Sequence, residues 1–223
     1  MPPQAGCYLF LLGMAAGAAL LPMSAFRRVS PVWLRWLLLA SGAFVISRYA
    51  AMAVFATAAQ PEPVWGWRFC WFATSLAFPL QTAFALDQLV RHPGMTPRGV
   101  LLRISPWLAV YLLVILFGPA EAVADRVVGW SVRLAPGWAR LLAAAHALFV
   151  LTVVWLAAGL ARRIPAWPTR LALAGLAAAY LALAADGVLL GLGHWYFRPY
   201  LFTELLAMAA IWHAYETAAR SAF

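Results

Sequence analysis

Residues 141–163 read LLAAAHALFVLTVVWLAAGLARR. One titratable group, His146, stands inside the apolar run, and Arg162 and Arg163 close it. A helix of about 20 apolar residues crosses the hydrocarbon core of a bilayer. In lipid a helix satisfies its own backbone hydrogen bonds, so such runs predict a helical bundle. Seven runs of this kind occur, at about 6–26, 32–57, 65–90, 101–118, 138–160, 169–192 and 199–218. The reading is an all-α integral membrane protein: a seven-transmembrane bundle in one domain over 1–223, with no soluble domain.

Composition agrees. The 223 residues are 65% hydrophobic and 10% charged. An ordinary soluble domain is about 45–50% apolar and about 25% charged. A soluble enzyme, a disordered chain and a nucleic-acid-binding domain are excluded on this ground. Net charge is +9, yet all 16 basic residues are Arg and none is Lys. They gather at the ends of apolar runs, where basic residues set topology. Without a Lys amine no Schiff base with retinal or a carbonyl substrate can form.

The breaks between runs carry Pro and Gly: Pro31, Pro61 and Pro63, Pro93-Gly94 and Pro97, Gly118-Pro119, Pro136-Gly137, Pro165 and Pro168, and Pro199. Short connections make successive helices antiparallel neighbours. Alternate connections hold Arg27, Arg28, Arg91, Arg98, Arg103, Arg162, Arg163, Arg170 and Arg220 on one side. The other side holds Arg126, Arg133, Arg140 and Arg198, with Glu62, Glu121 and Asp125. The richer side is predicted to be cytoplasmic, so the N-terminus is outside. The first run lacks a basic segment before it, which predicts an uncleaved span with the N-terminus out; the expected location is the inner membrane. The longest connection, 119–137, reads either as an amphipathic interfacial helix through Val123, Val127, Val128 and Trp130 or as an ordered loop. Cys7 and Cys70 read as a disulfide near the outer face or as two buried inert thiols.

Charge inside a span normally faces a partner or a cavity. Arg35 sits near the cytoplasmic face and can snorkel. Arg48 lies about 20 Å deeper at about 1.5 Å per residue. Counted the same way, Arg48, Arg68, His146, Asp186 and Glu204 come from five helices and share the outer half. They are the candidate ligand-binding residues, two cations and two carboxylates with one His. Trp65, Trp67, Trp71, His194, Trp195 and Tyr196 lie at similar depth. One reading is an outward-facing polar and aromatic pocket for a small ligand or protons; the other is a set of satisfied interhelical pairs under an aromatic belt.

The cytoplasmic half holds Asp87, Gln88, His213 and Glu216. His213 and Glu216 share a face at i, i+3, but a bundle metal site needs further Glu ligands. Haem needs paired His at one depth, and His92, His146, His194 and His213 do not match. No metal, cofactor or catalytic residue is predicted. Phosphate loops, nucleophile elbows, zinc-protease motifs and Cys-x-x-Cys are absent from the sequence. The reading therefore leans away from an enzyme. Small residues, as in Ala172–Ala185, read as helix packing.

The segment RFCWFATSLAFPL at 68–80, followed by QTAFALD at 81–87, resembles the seven-helix N-terminal sensor region of membrane histidine kinases and diguanylate cyclases. That family carries a mid-helix Pro, an aromatic-rich stretch and a basic turn, here RHPGMTPR at 91–98. The pattern continues through His146, LAADGVLLG at 183–191 and Trp212-His-Ala-Tyr. Such sensors continue into a cytoplasmic signalling domain. Here the chain ends at Phe223, so the resemblance implies an output on another polypeptide. The same region is similar to the microbial rhodopsins, with Arg68 at their helix-three Arg and Glu204 at an outer carboxylate. Their Arg-Tyr-x-Asp pattern reads Arg68-Phe-Cys-Trp, and Glu216 stands where the retinal Lys would be, which excludes a retinal pump.

The functional expectation is a sensor or receptor-like module with a separately encoded partner. A structural or accessory subunit of a membrane complex is the alternative. A transporter ranks lower, because no broken-helix pair or inverted repeat occurs.

Overall fold

The computed structural model describes residues 3–90, 94–125, 128–192 and 200–220. Its helices are α1 (Pro3–Ala18), α2 (Leu20–Phe26), α3 (Val32–Thr57), α4 (Val64–Trp71), α5 (Ala73–Val90), α6 (Pro97–Phe117), α7 (Pro136–Arg163), α8 (Trp167–Gly191) and α9 (Leu201–Arg220). Strands β1 (Ala120–Ala124) and β2 (Trp130–Leu134) stand between α6 and α7. The first and third predicted runs are thus each split, at Ala19 and at Phe72. Prolines expected to separate helices instead open them. Pro97, Pro136 and Pro168 lie in first turns, where a helix has no use for the missing N–H.

Six stretches are long and apolar enough to cross a membrane among the described residues: Ala5–Phe26, Val32–Thr57, Val64–Val90, Pro97–Phe117, Pro136–Arg163 and Trp167–Leu190. The seventh helix, α9, falls outside that set; it carries Glu204, His213, Glu216 and Arg220. It is nevertheless built into the bundle. Leu201, Glu204, Met208, Ile211, Tyr215 and Ala218 form its buried stripe, at the spacing of one helical face.

The helices close a ring. α1 packs on α3, α3 on α5, α5 on α6, α6 on α7, α7 on α8, α8 on α9, and α9 back on α2. α5 also reaches α9, α7 and α8. Its span is therefore the inner one: about two-thirds of its 18-residue apolar segment is buried, against about a third in the other spans. Pro79 sits buried inside it, where α5 has no ladder donor.

The connection after α6 corrects the expectation of an amphipathic helix. It is an antiparallel hairpin pairing Ala120 with Leu134, Glu121 with Arg133, Ala122 with Val132, Val123 with Ser131 and Ala124 with Trp130. Val128, Val132 and Leu134 are buried. Alternate residues thus point inward, the period of a strand. Gly129 turns the chain with φ +60. A Cβ there would lie 2.5 Å from the Phe55 carbonyl oxygen and 2.6 Å from that of Ala56, so the turn rests directly on the end of α3. Val127 and Arg126, with Arg91, His92, His194, Trp195, Tyr196 and Arg198, lie outside the described residues. Cys7 and Cys70 are free thiols, and Cys7 is exposed; neither the disulfide nor a pair of buried thiols is present.

Candidate functional site

The site begins at the break between α4 and α5. The Ser75 amide bonds the Phe72 carbonyl three residues back, as in a 3₁₀ turn. The Trp71 carbonyl is left out of that ladder and accepts from Arg48 Nη1 across the interface with α3. A helix break in a low-dielectric core needs such a donor.

The same guanidinium meets Glu204 with two contacts, Nη2 to Oε1 at 3.0 Å and Nε to Oε2 at 3.3 Å. Two parallel bonds of this kind form the strong geometry of an Arg–carboxylate pair. Glu204 also accepts from the Tyr49 hydroxyl at 3.0 Å and the Thr74 hydroxyl at 2.9 Å. The pair is buried, with side-chain exposures of 11% for Arg48 and 4% for Glu204. It ties α9 to α3 and α5 near the hairpin end.

Asp186 reaches the neighbouring turn. Its Oδ2 accepts from the Tyr200 backbone N–H at 3.0 Å and the Thr203 hydroxyl at 2.6 Å. A carboxylate from α8 thereby serves the start of α9, whose first N–H groups lack helical partners. Tyr200 has φ 70, left-handed backbone that a tyrosine rarely adopts. Its hydroxyl stands where a Cβ on Gly187 would come within 3.1 Å. Asp186 and Glu204 therefore flank one helix entry.

The other two candidates go elsewhere. Arg68 Nη2 donates to the Leu116 carbonyl, at the end of α6, where carbonyls lack partners and a cation is favoured. His146 Nδ1 lies 3.0 Å from the Tyr111 hydroxyl, joining α7 to α6. Its buried Nε2 has no hydrogen-bond partner among the described residues. Arg48 and Glu204 meet directly; Asp186 joins them through the start of α9; Arg68 and His146 hold separate interfaces.

Tyr49, Thr74, Tyr200, Thr203 and the Trp71 carbonyl were not legible as site groups. Most helical hydroxyls here bond their own preceding turn, as Ser24, Ser41, Ser47, Thr57 and Ser105 do. Thr74 differs only in what stands opposite it. Deeper in the bundle a second polar layer joins helices. Gln81 Nε2 donates to Ser41 at 3.0 Å, the Thr82 and Tyr180 hydroxyls are 2.6 Å apart, and the Tyr215 hydroxyl donates to the Gln81 carbonyl at 3.0 Å.

At the opposite end of α9, Glu216 pairs with Arg28 at 3.1 Å, while His213 is exposed. No group of three or more His, Cys, Asp or Glu suited to a metal occurs among the described residues.

Helical architecture and apolar spans define the class, a multi-pass membrane protein. The chain matches no family model, no curated protein and no solved structure.

Proposed function

We propose that the chain is a seven-span sensory module of the inner membrane, with its N-terminus outside and its C-terminus in the cytoplasm. In this reading α9 is the seventh span and the output element, acting on a cytoplasmic signalling partner. The observation that carries it is the Arg48–Glu204 pair. A buried bidentate ion pair holds the outer end of α9 to α3 and α5, and an exposed pair, Arg28–Glu216, holds its other end. An anionic ligand that competes for Arg48, or a proton on Glu204, releases the first latch. Such a ligand shifts α9 only by its preference for the released arrangement. Asp186, at the entry to α9, feels the same movement. Arg68 and His146 would extend the responsive region to α6 and α7.

The test is distance measurement by pulsed electron resonance. Spin labels at Arg98→Cys and Arg220→Cys, in a Cys7→Ser/Cys70→Ser background, report the far end of α9. Glu204→Gln should shift or broaden the distance distribution. An unchanged distribution overturns the latch.

A structural or accessory subunit is the second reading, favoured by a different observation. Glu204 receives four bonds from three side chains of the chain itself, Arg48, Tyr49 and Thr74. An apolar groove of about 310 Å³ also opens between α3 and α5, lined by Leu37, Ala40, Phe44, Leu76 and Leu80. Stable co-purification with a defined membrane protein, lost on Ala40→Trp, would favour it.

A further inference from the structure

We propose that the turn between α7 and α8 is a binding site for the phosphate of an anionic phospholipid. Three arginines stand there within one short stretch: Arg162 and Arg163 in the last turn of α7, and Arg170 in the first turn of α8. All three are exposed. No Asp or Glu occurs in the sequence between Asp125 and Asp186, so neither helix supplies a counter-charge until the opposite end of α8. At the same end of the bundle Arg28, by contrast, has its own carboxylate in Glu216.

Helix electrostatics separate the three. Cations at the end of α7 are favoured by its dipole, whereas Arg170 sits at the positive end of α8. Its placement there gains nothing from its own helix. Arg170 Nε donates to the Ile164 carbonyl at 2.6 Å. That bond uses the inner edge of the guanidinium and satisfies a carbonyl at the end of α7. The terminal nitrogens are left for a partner, and a guanidinium edge matches phosphate oxygens with two parallel bonds. The frame is stiff, with Pro165 and Pro168 on either side of Trp167.

Depth selects a lipid over a soluble anion. Trp167 is 68% exposed between Arg163 and Arg170, and exposed Trp marks the headgroup level of a bilayer. Leu171, one residue beyond Arg170, is exposed and apolar, giving acyl chains a surface below the headgroup. Basic pockets between spans are suited to anionic headgroups. The site depends on the membrane assignment alone and stands whether or not α9 is a signalling element.

The full chain is purified in mild detergent and offered equal amounts of phosphatidylglycerol and phosphatidylcholine, and retained lipid is counted by native mass spectrometry. Wild type should retain phosphatidylglycerol preferentially. Arg162→Gln/Arg163→Gln/Arg170→Gln should lose that preference by about tenfold or more. Arg133→Gln/Arg140→Gln, at the hairpin end, should keep it. Near-ultraviolet circular dichroism identifies misfolded protein. If the triple variant misfolds, Arg170→Lys replaces it, and there the preference should drop while the charge stays. Equal retention of the two lipids by wild type, or undiminished preference in the folded variant, overturns the proposal. So does displacement of bound lipid by millimolar inorganic phosphate, which would make the site one for a soluble anion.

Discussion

Arg48–Glu204 and Arg28–Glu216 are the same two side chains joining the same helix to the N-terminal part of the chain, at opposite ends. They differ in surroundings. The first pair is enclosed, bidentate and supported by Tyr49, Thr74 and the Trp71 carbonyl. The second has its arginine 64% exposed. Water screens the exposed pair, which is worth about 0–1 kcal/mol. In the enclosed pair either charge left alone has nothing to replace its partner, so its loss is severe even though forming the pair required desolvation. The contrast shows that an ion pair's importance follows from what surrounds it.

The sharpest way to break the comparison is to remove one member of the enclosed pair. Arg48→Ala or Glu204→Ala should destabilise the bundle by about 3–5 kcal/mol, read by denaturant or thermal unfolding in detergent. Arg48→Met/Glu204→Met should recover part of that loss, because no charge is stranded although the Trp71 carbonyl and the Tyr49 and Thr74 hydroxyls lose their partners. A double variant as unstable as the worse single would mean that the pair, together with the polar groups it serves, stabilises in its own right.

Next comes the cover over that end. Gly129→Ala puts a Cβ against the Phe55 and Ala56 carbonyls at a left-handed turn. It should lower stability by about 1–3 kcal/mol and speed proteolysis of the hairpin at 120–134. Normal stability would detach the hairpin from the integrity of the enclosed end.

Between the two pairs lies a neutral bond. Tyr215→Phe removes the hydroxyl that serves the Gln81 carbonyl and should cost about 1 kcal/mol. Arg28→Ala has the smallest expected effect, about 0.5 kcal/mol or less, and the difference from wild type should vanish in 1 M salt. A loss as large as that of Arg48→Ala would erase the distinction between the two ends.

Most of the spans were legible because hydrophobic length is a property of contiguous residues. The hairpin was not: Val128, Trp130 and Val132 fit a helical or a strand period over so short a stretch, and packing on α3 selected the strand. The breaks at Ala19 and Phe72 were hidden too, since apolar residues continue straight through them.

Position along each helix can be read from the residue order. A residue's position along a span follows from counting along the helix, and that count put Arg48, Arg68, His146, Asp186 and Glu204 in the same half. Azimuth belongs to the tertiary structure. Which way each helix is rotated, and which helix stands beside it, depends on packing between residues as far apart as Arg48 and Glu204. Two charges at one depth can face each other or opposite neighbours. Packing of α9 against α3 and α5 brought Glu204 to Arg48, while Arg68 turned to α6 and His146 to Tyr111.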